Sequence, residues 1–365
     1  MKKRLIITLF LILIFTLSLA LVYVLGIYNK IRVKENQISN NTQTPTPTPD
    51  PMGTRNILLL GYGGVGHEGA NLTDTIILAH IIPKENQVFL ISIPRDIWVP
   101  IQMQDGLKNF KINHAFAIGL DNTLYPNKLP EYKGLVGGAS LAKNLVTEIT
   151  NLKVDNFISI NFEGFKKIIN ILGGIEVNVP YSFKDEYYPI KGLENDPCDK
   201  TEEEIKALTA TMSSYLLEHE FKCRYETIEF KKGGPQVLDA ETALKFVRSR
   251  HSNENGGDFQ RALRQQALIS GIKDKLIRIN SIPKLVSLIN VLADNVQTDI
   301  DIKTALNLLA KQEDINDIKI KSLVLTTDNV LREGVSQDGQ YILLPKNAEG
   351  DWSQVHKFIQ ENLTP

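Results

Sequence analysis

Arg95 and Asp96 stand side by side in SIPRDIWVP, where an apolar run ends. The C-terminal end of a strand in an α/β sheet is where binding sites collect, although an ion pair just past a strand can also be no more than a solvated surface contact. Further along, Arg248 and Arg250 close the helical pattern LDAETALKFVRSR, and Arg261, Arg264 and Gln265 open the next one. Their spacings of i, i+3 and i+4 put these three on one helix face. Guanidinium forks match pairs of phosphate oxygens and stay charged, and the N-terminus of the second helix adds its own positive end. The competing reading makes Arg248 and Arg250 C-terminal helix charges that satisfy carbonyls. Asp74, in LTDT, has the chemistry to hold Mg²⁺ against phosphate oxygens or to accept a proton from an attacking hydroxyl, and Asp is equally a common turn residue. Lys111 and Asn113 in KINHAFA add a cation and an amide of the types used at phosphate and sugar sites. His114 is a candidate base, against the commoner structural role of a lone histidine.

Other chemistries lack their residues. The loop GYGGVGHEG has neither the G-K-[ST] of a P-loop nor dinucleotide spacing, there is no G-x-S-x-G or H-E-x-x-H, and six histidines are scattered without ligand spacing. A formal net charge of -1 gives no electrostatic reason for a nucleic-acid partner.

The elements that must position these residues read as strands alternating with helices. Apolar runs at Asn56–Leu60, Thr75–Ile82 and Gln87–Ile93 read as strands, the last two joined by a hairpin through Pro83–Asn86. Helical spacing over Ser140–Thr150 and Glu163–Leu172 flanks a strand at Asn156–Ile160, and Ile175–Val179 is expected to return to the sheet. Asp239 caps the VRSR helix, a polar loop spans Ser252–Gly257, and a long helix runs from Asp258 to about Arg278. Helical patterns at 282–293 and 302–309, a strand at 318–325 and a terminal helix at 352–362 follow. The fold class is α/β, a mixed central sheet sandwiched by helices, because a hairpin rules out a purely parallel sheet. Residues 181–233 are polar and break the rhythm, so they read as an insertion over the surface of one domain spanning 53–365.

Residues 5–27 carry no charge and are long enough to cross a bilayer, while Lys2, Lys3 and Arg4 in the tip 1–4 keep the N-terminus inside. A single-pass anchor in the cytoplasmic membrane, with the rest of the chain outside, is favoured over a cleaved signal peptide, for which the apolar stretch is too long. Residues 28–52 hold the Pro/Thr-rich strut TQTPTPTPDP, an extended spacer. Outside the membrane, Cys198 and Cys223 favour a disulfide over half a zinc site.

The ordered strings NILLLG, LTDTIILA, VFLISIPRD, KINHAFA, FISINFEGFKKIINILGGIEVNVP, LDAETALKFVRSRH and GDFQRALRQQ resemble the LytR-CpsA-Psr family from about Asn56 to at least Ile279. The resemblance implies a hydrophobic pocket for a polyprenyl chain with its pyrophosphate at the mouth. It implies transfer of a polyprenyl-pyrophosphate-linked glycopolymer to the C6 hydroxyl of peptidoglycan N-acetylmuramic acid, with polyprenyl phosphate leaving. By the same resemblance, Arg95, Arg248, Arg250, Arg261 and Gln265 grip the pyrophosphate, and Lys111, by its residue type, joins them. Asp74, Arg95 and Asp96 carry the chemistry, and Asp74 attends Mg²⁺. The family's usual acid after the first strand is replaced by Gly63, with Glu68 in the same loop as the substitute ligand. A non-catalytic pyrophosphate-binding envelope protein and a pyrophosphate hydrolase are the alternatives.

Overall fold

A computed structural model describes residues 26, 30, 53–67, 69–212, 214–252, 254–278, 282–301, 304 and 317–363. The expected anchor and spacer lie outside these apart from Gly26 and Lys30, as do Glu68 and nearly all of the 302–309 helix. Among the described residues no helix is long and apolar enough to cross a membrane.

The chain opens with β1 (Arg55–Tyr62), β2 (Thr73–Ile82) and β3 (Gln87–Ser92), then the hairpin β4 (Trp98–Met103) and β5 (Gly106–Lys111). Next come α1 (His114–Leu120), α2 (Gly134–Thr150), β6 (Asn156–Asn161), α3 (Phe162–Leu172), β7 (Ile175–Asn178) and β8 (Phe183–Pro189). Two short helices, α4 (Glu202–Thr211) and α5 (Ser214–Glu220), lead to β9 (Tyr225–Phe230), β10 (Pro235–Leu238), α6 (Ala240–Arg248) and α7 (Gly257–Ile277). The remainder is α8 (Ile282–Asn295), β11 (Val296–Thr298), β12 (Lys319–Val324), β13 (Leu331–Val335), β14 (Tyr341–Pro345) and α9 (Ser353–Asn362). These group into two compact units, residues 1–171 with 279–365, and residues 172–278. The first junction falls at the end of α3, with no linker composition to mark it.

The first unit is built on a six-stranded sheet of order β11-β6-β1-β2-β3-β12. It is mixed, as expected: β1 pairs antiparallel with β2 and parallel with β6, and β12 runs parallel to β3. Consecutive residues are buried on the central strands, Ile76 to Ala79 on β2 and Phe89 to Ile91 on β3. Since neighbours along a strand face opposite sides, both faces of the sheet are covered. The β2–β3 hairpin turns through a short 3₁₀ segment at Pro83–Glu85 and a left-handed Asn86.

Two elements of this unit escape the apolar pattern. The β4–β5 hairpin has a mostly exposed second strand and so lacks clean alternation. Helix α2 starts at Gly134, six residues before the apolar spacing begins, because GLVGG reads as a loop. Those glycines let α1 and α2 touch: a Cβ on Gly138 would lie 2.5 Å from the Phe116 carbonyl, and one on Gly119 would lie 2.4 Å from the Gly138 nitrogen. The buried Lys128 closes the C-terminus of α1, its Nζ donating to the carbonyls of Gly119 at 2.9 Å and Asp121 at 3.0 Å.

In the second unit, β7 does not return to the central sheet. It pairs with β10, and α7 lies against it at Gly271, where a Cβ would come within 2.4 Å of the Glu176 carbonyl. Residues 181–233 are likewise more than a surface excursion. Phe183 of β8 stacks on Phe230 of β9 at 5.0 Å, Phe246 of α6 closes on both, and Phe183, Tyr188, Ile228 and Phe230 are all buried. The polar residues that dominate the segment hide one apolar face of the hairpin. Within the segment, Cys198 and Cys223 form a disulfide across the stretch that holds α4 and α5.

Candidate functional site

In the first unit, four charged side chains from three separate segments meet. β3 ends at Ser92, and the turn Pro94–Ile97 follows, with the Ile97 amide donating to the Pro94 carbonyl at 3.3 Å. The β4–β5 hairpin then doubles the chain back and places Lys111 opposite Trp98. The Asn113 amide donates to the Arg95 carbonyl at 3.3 Å, and the Thr73 amide donates to the Asn113 carbonyl at 3.2 Å. Through this backbone tie, Arg95 reaches the Asp74 carboxylate as an ion pair. Arg95 Nε lies 3.6 Å from Asp96, and Lys111 Nζ lies 2.7 Å from the other oxygen of Asp96. Asp74 lies inside β2 rather than ahead of the strand. Asn113 contributes its backbone; its Oδ1 is buried with no hydrogen-bond partner among the described residues.

His114, the candidate base, begins α1, and its Nδ1 lies 2.7 Å from the Tyr125 hydroxyl. Burial holds the imidazole below its usual pKa, with the Lys111 charge adding to the effect and Asp96 opposing it. Burial also pushes the Tyr125 phenol up to about 12, so it stays protonated and donates to the ring. A depressed histidine pKa costs stability only on the acid side. Above the unfolded value both states are neutral; as pH falls below it, the unfolded chain takes up a proton that the folded chain resists. His114→Gln is therefore expected to flatten the loss of stability between neutral pH and pH ~5 in urea titrations. A slope as steep as in the unmodified chain would place the acid sensitivity elsewhere.

The second unit carries the other cluster. Asp239 caps α6 by accepting from the Thr242 amide at 2.7 Å, and α6 delivers Arg248 at its last turn. Arg248 donates to the Tyr188 hydroxyl at 3.3 Å and lies over its ring at 5.8 Å. Arg250 lies 2.9 Å from Asp258, in the first turn of α7, and Arg261 donates to the same carboxylate at 3.2 Å. Two guanidiniums, Arg250 and Arg261, thus share the Asp258 carboxylate, while Arg248 lies on Tyr188.

Arg264 and Gln265, on the same helix face as Arg261, have another task. Arg264 is 0% exposed. It donates to the carbonyls of Phe246 at 3.0 Å, Asn255 at 3.2 Å and Ser249, and to the Tyr181 hydroxyl at 3.1 Å. Gln265 Nε2 donates to the Val247 carbonyl at 3.4 Å. The carbonyls at the end of α6 are therefore satisfied from α7, and the side chains of Arg248 and Arg250 engage Tyr188 and Asp258 instead. Asp258 and Tyr188 are the participants that sequence reasoning missed. Asp258 was readable as the i−3 partner of Arg261, while Tyr188 lies in a segment that looks like surface.

The carboxylates expected to attend Mg²⁺ make a poor ligand set. Asp74 is paired with Arg95, and Asp96 is held by Lys111 and Arg95. An acid at position 63 has no ready space, since a Cβ there would lie 2.9 Å from that of His67. Among the described residues, the one grouping of three metal-type ligands is Asp196, Cys198 and Cys223, and its sulfurs are joined in the disulfide. The described residues do not assemble a divalent-cation site, and no catalytic step is assigned to one.

The first unit thus carries an arginine–carboxylate cluster after a strand of its mixed sheet, and the second carries another at a helix start. The chain belongs to the LytR_cpsA_psr family, whose model matches residues 21–353. Among its relatives is the polyisoprenyl-teichoic acid–peptidoglycan teichoic acid transferase TagU of Enterococcus faecalis, 30% identical over 67% of this chain and 61% of that protein. The transferase of the same description TagV of Bacillus subtilis is 25% identical over 84% of this chain and 64% of that protein. The matches thus span a little under two thirds of these relatives. A solved structure of TagT bound to LIIa-WTA shares the fold, with a TM-score of 0.55 at 22% identity over 91% of this chain and 99% of that one.

Proposed function

We propose that the protein is a glycopolymer phosphotransferase that moves a polyprenyl-pyrophosphate-linked glycan onto peptidoglycan, at the C6 hydroxyl of N-acetylmuramic acid. The observation that carries this is the meeting of Asp74, Arg95, Asp96 and Lys111 from three separate segments, in a member of this family. Each unit offers cations for phosphate groups, Arg95 and Lys111 in the first and Arg248, Arg250 and Arg261 in the second, where Gln265 holds the end of α6. The acceptor oxygen attacks the phosphorus bearing the sugar, the phosphoanhydride P–O bond breaks, and polyprenyl phosphate departs. Asp74 takes the hydroxyl proton, because its side chain is 37% exposed against 10% for Asp96 and an incoming acceptor can reach it. Arg95 neutralises charge moving to the leaving phosphate, which is where phosphoryl transfer needs most help.

The same reading places residues 5–27 across the cytoplasmic membrane and the folded part outside it. The uncharged apolar run with basic residues before it supports that orientation, and the disulfide fits a non-reducing compartment.

The test is incubation of the full-length chain in nanodiscs with a polyprenyl-pyrophosphate sugar, with and without peptidoglycan oligomer. Phosphosugar linked to the oligomer is the expected product. Free phosphosugar alone would make the protein a hydrolase, and binding without turnover a non-catalytic carrier. In the same assay, chelation by EDTA is expected to slow transfer by less than about threefold. A loss beyond about tenfold would restore a catalytic metal and point to Glu68 as its missing ligand.

A further inference from the structure

Asp185 is a carboxylate that neither the sequence motifs nor the proposed chemistry uses, and it is 1% exposed. Its Oδ2 accepts from the Ser249 hydroxyl at 2.6 Å, the Arg250 amide at 3.1 Å and the His251 amide at 3.2 Å. Its Oδ1 accepts from the Tyr187 amide at 3.0 Å. Converging hydroxyl and amide donors of this kind form an anion-binding nest, and here the chain fills the nest with its own carboxylate. From the other side, Arg264 grips the carbonyls of Ser249 and Asn255. The turn between Arg248 and Arg250 is therefore pinned on both of its polar edges.

Strand β8 delivers this carboxylate by a specific device. Asp185 and Tyr188 are three residues apart, so an even strand would point them to opposite faces. The pairing of β8 with β9 shifts register between them, and such an irregularity re-aims side chains. Both are buried as a result, with Asp185 on the backbone of the arginine turn and Tyr188 beneath the Arg248 guanidinium.

We propose that Asp185 is a positioning residue: an internal anion that fixes the Ser249–His251 turn so that Arg248 and Arg250 are presented in one arrangement. Its consequence for turnover rests on the transferase reading, while the positioning itself does not. Asparagine cannot replace it, because both carboxylate oxygens act as acceptors and an amide offers only one.

The test uses full-length chains carrying Asp185→Asn, Ser249→Ala, or Asp299→Asn as a control. Asp299 is a hydrogen-bonded carboxylate of the other unit, paired with Lys143 and accepting from the Phe157 amide. Below the melting transition, the rate at which phenylglyoxal modifies Arg248 and Arg250, mapped by mass spectrometry, reads their arrangement without any substrate. Asp185→Asn is expected to raise that rate by about threefold or more and Ser249→Ala by less, with Asp299→Asn at the unmodified rate. Unchanged rates in Asp185→Asn, or an equal rise in Asp299→Asn, overturn the proposal. If Asp185→Asn does not fold, Ser249→Ala decides by the same criterion. In the transfer assay Asp185→Asn should lower kcat roughly 10- to 100-fold with little change in the KM for acceptor. An inactive unmodified chain would sink the transferase reading and leave the labelling result to judge Asp185.

Discussion

Arg95→Ala is expected to slow transfer by about 100- to 1000-fold while shifting the thermal midpoint by no more than about 4 °C. The two halves have separate causes. Arg95 is held by the Asn113 amide through its backbone, which alanine keeps, so the turn after β3 survives the change. The side chain is partly exposed and paired with Asp74 and Asp96, and ion pairs of that kind add little to stability. In the proposed transfer the same guanidinium would face charge gathering on the leaving phosphate, where a preorganised cation counts for most. Arg95→Lys should recover part of the rate, because it restores charge without the two-toothed fork. Full turnover in Arg95→Ala would remove this residue from the site.

Arg264→Leu should show the opposite pattern, a stability loss of about 3–5 kcal/mol in urea unfolding. Leucine keeps much of the apolar contact that the Arg264 stem makes near Phe183, where the guanidinium sits 4.4 Å from the ring centroid. It leaves the carbonyls of Phe246 and Ser249 without their donor at buried hydrogen bonds, and that of Asn255 without its donor at a part-buried one. A loss below about 1 kcal/mol would mean that these carbonyls find other partners and that Arg264 is no clamp. Two arginines from motifs of one apparent kind thus carry opposite expectations, one for turnover and one for stability.

That division marks how far the sequence could be read. The hydrophobic runs located β1, β2 and β3 to within a few residues, because strands buried on both faces leave continuous apolar stretches, and alternation located β6. Asp239 and the apolar spacing likewise located α6. The β4–β5 hairpin and the glycine start of α2 were not legible, since one is mostly exposed and the other uses glycine for close packing rather than for a turn. The destination of β7 was not legible either: a four-residue apolar strand fits any sheet edge, and its pairing with β10 is a long-range choice.

At the candidate site, residue types suggested phosphate chemistry, yet the partners that orient those residues were invisible. Asp258 lay within helical reach of Arg261 and could have been found by spacing. Asp185 could not, because it acts on a turn 64 residues away through backbone amides that carry no sequence signature. The apolar face of β8 and β9, masked by charged neighbours, concealed that the segment belongs to the support of the arginines.

The central claim is that these guanidiniums grip a diphosphate, and the most direct measurement is the affinity of the full-length chain for polyprenyl pyrophosphate against polyprenyl monophosphate. The diphosphate should bind about tenfold or more tightly, a preference that Arg95→Ala reduces. Equal affinity of the unmodified chain for the two lipids would contradict it.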